Sequence, residues 1–138
     1  MLLLYYKTNT LMQKEVKVGY QFSSDKPIFE QIIDNIVVKI ASGIYQENER
    51  LLSVRDYAVE FGVNPNTVQR ALSELEREGI IYTKRGDGRY VGNISKAEKM
   101  RKAIAGGRIK LYVHEMRRMG FSDNQILNLT GEILNEHS

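Results

Sequence analysis

The sequence predicts a mostly α-helical α+β fold, with three helices and a small β-hairpin first and two further helices after them. Three observations predict it. Apolar residues recur at helical spacing in successive segments. Capping Ser or Asn residues and glycines punctuate those segments at their ends. One β-rich run, Ile80-Ile81-Tyr82-Thr83, stands before a glycine turn and Arg89-Tyr90-Val91. At 138 residues, with 42% hydrophobic and 27% charged, the chain suits one domain with a small appendage rather than a two-domain enzyme.

Composition removes several chemistries. There are no cysteines, which excludes disulfides, thiolate catalysis, iron–sulfur clusters and cysteine-type zinc sites and points to a cytoplasmic protein. The opening run Met1-Leu2-Leu3-Leu4-Tyr5-Tyr6 stops at Lys7, without a basic leader or a small-residue cleavage site, so neither a signal peptide nor a membrane partner is expected. His114 and His137, the two histidines, lack ligand spacing, so no metal is expected. Gly86-x-Gly88 lacks the third glycine of a dinucleotide loop, and no nucleophile–base arrangement is visible. The expectation is a protein that is not an enzyme and carries no cofactor.

In chain order, residues 1–25 form an N-terminal extension in which Val16-x-Val18-x-Tyr20-x-Phe22 alternates like a strand, a flexible arm being the other reading. The first helix starts near Asp25–Pro27, a cap followed by a proline suited to a first turn, and ends at Gly43. Its apolar stripe is Phe29, Ile32, Ile33, Ile36, Val37 and Ile40. Ser53, with Asp56 three residues on, caps a short second helix through Val54, Tyr57, Ala58 and Phe61 that stops at Gly62. Asn64 caps the third, with Pro65 at its first position; it spans 64–78 and is closed by Gly79. Two helices joined by so tight a glycine turn make a helix-turn-helix.

The hairpin over residues 80–91 then reads as a wing, so that residues 26–92 compose a winged helix-turn-helix domain. Residues 93–138 form a helical tail. Ser95 with Glu98 suggests a capping box for a long helix carrying Met100, Ile104, Leu111, Tyr112 and Met116 to near Gly120, with Gly106-Gly107 as a break or a close helix crossing. Ser122 with Gln125 repeats the pattern for a last helix through Ile126, Leu129, Ile133 and Leu134.

The third helix carries the chemistry. At 100° per residue, Val68, Ala71, Leu72 and Leu75 share one face, while Asn66, Arg70 and Ser73 point the opposite way with Gln69 at the edge. That polar face suits the major groove, because Asn and Gln pair bidentately with adenine and Arg with guanine, each good pair discriminating by about 1–3 kcal/mol. Glu74, Glu76 and Glu78 fall toward the far end, away from the bases. Lys84, Arg85 and Arg89 flank the wing's glycine turn, and Arg55 near a helix start, with the amides around Asn64–Thr67, suits phosphate. A cap, a glycine turn, a second helix and a basic hairpin in that order favour DNA over a merely solvated surface.

These residues resemble the winged helix-turn-helix regulators of the GntR family, and within it the short YtrA-like branch. The resemblance rests on Pro27-Ile28-Phe29-Glu30-Gln31-Ile32, Leu51-Leu52-Ser53-Val54-Arg55, Gly62-Val63-Asn64-Pro65-Asn66-Thr67-Val68-Gln69-Arg70-Ala71, Leu75-Glu76-Arg77-Glu78-Gly79-Ile80-Ile81 and Gly86-Asp87-Gly88-Arg89-Tyr90-Val91. It implies DNA contacts from Arg55, Asn64, Asn66, Thr67, Gln69, Arg70 and Gly86. The chain departs from the family at Glu47-Asn48, where a proline and glycine are usual, and at Leu52, where proline is usual, which predicts a looser loop. Arg89 replaces a small Thr and should strengthen phosphate or minor-groove contact.

Residues 95–118 hold eight basic and two acidic residues, read as the solvated face of the long helix rather than a second DNA surface. The tail has the 46 residues from Asn93 to Ser138 after the wing, and an effector-binding domain of the kind larger family members carry is not expected. Its two amphipathic helices are expected to pair with a second copy through Met100, Ile104, Leu111, Tyr112, Met116, Ile126, Leu129 and Ile133, as the resemblance implies. A homodimer would set two reading helices roughly 34 Å apart on a near-palindromic double-stranded operator. The expected function is a sequence-specific transcription regulator, a repressor that an unidentified small-molecule effector or partner releases. The alternative is a winged-helix module for protein–protein contact without sequence-specific DNA binding.

Overall fold

The computed structural model describes residues 21–137, so the alternation through Val16, Val18 and Tyr20 lies outside the described residues. The elements are α1 (Ile28–Ala41), α2 (Val54–Phe61), α3 (Pro65–Arg77), β1 (Ile81–Lys84), β2 (Gly88–Val91), α4 (Ile94–Arg118) and α5 (Asp123–Glu136). Among the described residues, no helix is long and apolar enough to cross a membrane.

The core is built from the predicted stripes. Ile32, Ile36, Val37 and Ile40 of α1 meet Tyr57, Ala58 and Phe61 of α2 and Val68, Ala71, Leu72 and Leu75 of α3, with Ile80, Ile81 and Val91 of the hairpin closing one end. Each large apolar side chain so buried contributes about 1.5–3 kcal/mol. Phe29 and Ile33 are only half-buried at the edge of this core. Phe22 reaches it as well, its ring 6.1 Å from that of Phe61.

The first cap differs from expectation. Pro27 stands at the N-cap of α1 with no side-chain bond, and Asp25 lies ahead of the helix. The segment is held instead by Gln31, whose amide nitrogen donates to the carbonyls of Ser23 (2.8 Å) and Lys26 (2.7 Å) while its oxygen accepts from the Ser23 amide. Lys26 pairs with the buried Asp34 carboxylate.

The turn between α2 and α3 follows the sequence closely. Ser53 Oγ accepts from the Asp56 amide at 3.1 Å. Gly62 ends α2 at φ 66, and the Val63 amide reaches back to the Ala58 carbonyl at 3.0 Å, a left-handed closure that costs glycine nothing. Asn64 then caps α3 by accepting from the Asn66 amide at 2.8 Å.

The hairpin is antiparallel with Ile81 opposite Val91 and Lys84 opposite Gly88. Its other edge is not free. The amides of Asn48 and Leu51 donate to the carbonyls of Val91 and Arg89, and the Val91 amide donates to Glu49, so residues 48–51 pair along β2. Asn48 adopts φ 64, where an Asn side chain is tolerated better than most, and accepts a hydrogen bond from the Tyr82 hydroxyl at 3.0 Å. The loop expected to be loose for want of proline and glycine is pinned by this ladder.

Two expectations about the tail are corrected. Asn93, not Ser95, caps α4, accepting from the Lys96 amide at 3.1 Å. The Gly92 and Asn93 amides are tied to the carbonyls of Ile80 and Gly79, so the helix begins as soon as the chain leaves the hairpin, two residues early for Ser95. A Cβ at Gly92 would come within 3.1 Å of the Ile80 oxygen, which explains the glycine there. Secondly, α4 runs unbroken through Gly106 and Gly107, and among the described residues nothing beyond the helix's own adjacent backbone lies within 4 Å of a Cβ at either, so they mark neither a break nor a close crossing there. The capping box of α5 forms as expected, with Ser122 and Gln125 bonded reciprocally. Arg117 donates twice to the Asp123 carboxylate, at 3.0 and 3.2 Å, across the bend between α4 and α5.

Candidate nucleic-acid interface

The outward face of α3 is polar and open. Asn66, Gln69, Arg70 and Ser73 are exposed, Thr67 is half-buried, and Val68, Ala71, Leu72 and Leu75 point into the core. Gln69 donates to Ser73 Oγ at 3.2 Å, a weak contact that an adenine edge can replace. Glu74, next in the chain to Ser73, is paired with Arg77 in an i, i+3 ion pair. Arg70 lies with its guanidinium carbon 3.8 Å from the centre of the Phe29 ring on α1.

The start of α3 departs from one expectation. Pro65 has no N–H, the Asn66 amide is taken by Asn64 Oδ1, and the amides of Thr67 and Val68 donate to the Asn64 carbonyl. The first-turn donors are thus already engaged within the chain, and what remains for a phosphate is the helix dipole. Asn64 serves as a cap, with its side-chain oxygen committed to α3 itself. Arg55, by contrast, is exposed at the second position of α2 and free to reach an anion.

The wing tip holds Arg85, Gly86 and Asp87 between the strands. Gly86 has φ 79 and the Asp87 amide closes the turn onto the Lys84 carbonyl at 3.0 Å. Lys84 and Arg85 are exposed, with the Lys84 ammonium 4.4 Å from the centre of the Tyr90 ring. Arg89 is not the open cation its position suggests: it is half-buried, and its Nε is enclosed without a hydrogen-bond partner among the described residues.

Three residues that are not among the expected DNA contacts shape this surface. Arg50 donates to the Asp87 carbonyl at 2.8 Å, and the Tyr90 hydroxyl donates to the Asp87 carboxylate at 2.5 Å, a bond that pushes the Tyr90 phenol above its ordinary range. The one acidic side chain at the wing tip is thereby held by a phenol and flanked by a cation, although it stays exposed. Phe29 is the third. Arg50 and Phe29 act on partners some forty residues away, which no local periodicity marks, whereas Tyr90 lies three residues from Asp87 within the hairpin; the stripe on the first helix is the one signal that pointed to Phe29.

The tail residues separate into two groups. Met100 and Ile104 pack, with Ala97, against the core of the winged domain, so the first half of α4 belongs to that domain. Leu111, Tyr112 and Ile133 are exposed, Met116 and Leu129 half-buried, and Ile126 buried. Tyr112 is hydrogen-bonded to Thr130 between α4 and α5. Among the described residues no cluster of His, Asp and Glu has metal-binding geometry.

Comparison with known proteins agrees with this geometry. Residues 28–91 match the family model described as bacterial regulatory proteins, gntR family. The chain is 33% identical over 108 residues to the uncharacterized HTH-type transcriptional regulator YhcF of Bacillus subtilis, covering 78% of this chain and 89% of that protein. It is 36% identical over 96 residues to the HTH-type transcriptional repressor YtrA of the same bacterium, covering 70% of each. A solved GntR family transcriptional regulator from Listeria monocytogenes aligns with a TM-score of 0.70 at 37% identity, over 80% of this chain and 98% of that chain.

Proposed function

The chain belongs to the gntR family of bacterial regulatory proteins, with its YtrA-like members, and on that premise we propose that it is a sequence-specific DNA-binding transcription regulator acting in the cytoplasm as a homodimeric repressor. The observation that carries this reading is the exposed face of α3, where Asn66, Gln69, Arg70 and Ser73 form a polar surface whose donors and acceptors suit base edges. Arg55, Lys84, Arg85 and the Gly86 backbone would contact phosphates and fix register. Thr67, half-buried beside that face, would act at its margin, while Asn64 would act by setting where α3 begins. Arg89 would add its terminal guanidinium nitrogens to the wing.

Pairing through the tail is supported by the apolar residues it turns outward: Ile109, Leu111 and Tyr112 of α4 and Leu127, Ile133 and Leu134 of α5. Two copies joined there would present two α3 helices to a near-palindromic operator about one turn, roughly 34 Å, apart. Repression follows if the bound dimer occludes a promoter, and a small-molecule effector or partner that changes the spacing of the heads would release it.

Selection of bound fragments from the source genome, followed by titration of the selected duplex and a shuffled duplex across a salt series, tests the proposal. The expected result is a linear fall of log K with log salt and a preference for the selected duplex that Arg70→Ala reduces by about 1–3 kcal/mol. Equal affinity for both duplexes by the intact protein would favour the alternative, a winged-helix module for protein contacts.

A further inference from the structure

Arg70 and Phe29 come from different helices, and their contact has a directional consequence. The guanidinium carbon sits 3.8 Å from the ring centre, within cation–π range. A contact of that kind engages the flat face of the guanidinium and leaves its N–H donors, which lie in the plane, available at the rim. Among the described residues those donors meet no acceptor: the hydrogen bonds and ion pairs that α3 side chains make are Gln69 with Ser73 and Arg77 with Glu74. Phe29 is itself anchored, half-buried against the core at the second position of α1.

Resting on the reading of α3 as the base-reading helix, we propose that Phe29 is a positioning residue for sequence recognition, holding Arg70 in the free protein so that its N–H edge is already directed when DNA arrives. A free arginine on a helix surface loses rotamer freedom when it binds a base, and an arginine already held loses less. The ring therefore raises discrimination at the base pair that Arg70 reads and leaves the rest of the operator unaffected. The phenyl group acts as a platform and touches no base itself. A tyrosine at this place would do the same work, whereas an aliphatic residue of similar size would fill the space without orienting the cation.

A double-mutant cycle on the full chain tests this, using a duplex selected from the genome and the same duplex with single base-pair changes. Arg70→Ala is expected to lose roughly ten-fold preference at one or two base pairs. Phe29→Leu is expected to lose roughly three-fold at those same base pairs and nothing elsewhere, Phe29→Tyr to keep full preference, and Phe29→Leu added to Arg70→Ala to cost nothing more. Equal loss from Phe29→Leu in both backgrounds, or loss spread over every position, would reduce Phe29 to packing and overturn the proposal. If Arg70→Ala keeps every preference, the base-reading role of Arg70 fails first and the proposal with it. If Arg70→Ala loses preference and Phe29→Leu does not, the positioning role alone fails. Phe29→Met replaces Phe29→Leu should the latter not fold. Independently of any variant, the Arg70 side-chain NMR signals of the free protein should be shifted upfield by the ring; ordinary positions would refute the contact.

Discussion

Arg50 and Asp87, 37 residues apart in the chain, join at the tip of the wing: the Arg50 guanidinium donates to the Asp87 carbonyl oxygen at 2.8 Å and stands 3.8 Å from its carboxylate. Both side chains are largely exposed, so the ion pair itself contributes little, and the bond to the backbone carbonyl is the stronger tether. Arg50→Ala is expected to leave global stability within about 1 kcal/mol. It should also accelerate hydrogen exchange at the wing amides and weaken DNA binding several-fold by releasing the turn and removing the cation beside Asp87. Unchanged exchange at Asp87 and Gly88 would show that the hairpin holds its shape without Arg50.

The junction of α2 and α3 depends on two local devices that can be removed separately. Ser53→Ala deletes the acceptor for the Asp56 amide and should cost about 1 kcal/mol in urea unfolding, while Ser53→Asp should restore most of it. Gly62→Ala forces a Cβ onto a residue at φ 66, and although open space surrounds that position the backbone strain should cost about 1 kcal/mol or more. Wild-type stability in both variants would mean that tertiary packing alone sets this turn.

Tyr57 predicts a pH dependence. It is fully buried, and burial, followed by its hydrogen bond to Tyr45 at 3.3 Å, pushes its phenol well above the ordinary value near 10. The folded chain then keeps a proton that the unfolded chain releases. This contribution to stability is complete below about pH 10 and declines as the pH rises beyond it, by up to about 1.4 kcal/mol per pH unit. Thermal melts from pH 8 to 11 should show a steeper fall for the wild type than for Tyr57→Phe. Parallel curves would assign the alkaline loss to other groups.

The tail calls for a surface test rather than a deletion, because cutting after Gly92 would strip Ala97, Met100 and Ile104 from the core as well as removing the outward apolar residues. Leu111→Asp combined with Ile133→Asp changes two exposed positions, 52% and 56% accessible, and should leave the melting temperature of the monomer fold nearly unaltered. Light scattering should report conversion of a dimer to a monomer, with operator affinity falling as the two heads uncouple. A dimer that persists would move the pairing surface elsewhere.

Much of the architecture was legible because it is local. Ser53, Asn64 and Ser122 cap helices through bonds spanning two or three residues, Gly62 and Gly79 end helices through their own backbone freedom, and the stripe on α3 follows from a period of 3.6 residues. The polar face expected to read bases is the face found outward. Where local rules competed, the fold chose: Asn93 and Ser95 are both good caps, and the chain's exit from the hairpin favoured Asn93.

By itself, then, the order of residues determined the helices, the tight turn, the hairpin and the polar face of α3, since these depend on groups a few residues apart. The docking of those pieces determined the rest. It placed residues 48–51 along β2, brought Arg50 to Asp87, laid Arg70 over Phe29, enclosed part of Arg89 and gave Met100 and Ile104 to the chain's own core. Such contacts join segments tens of residues apart, and the energy that selects them comes from burying whole faces together, which no short window of sequence contains.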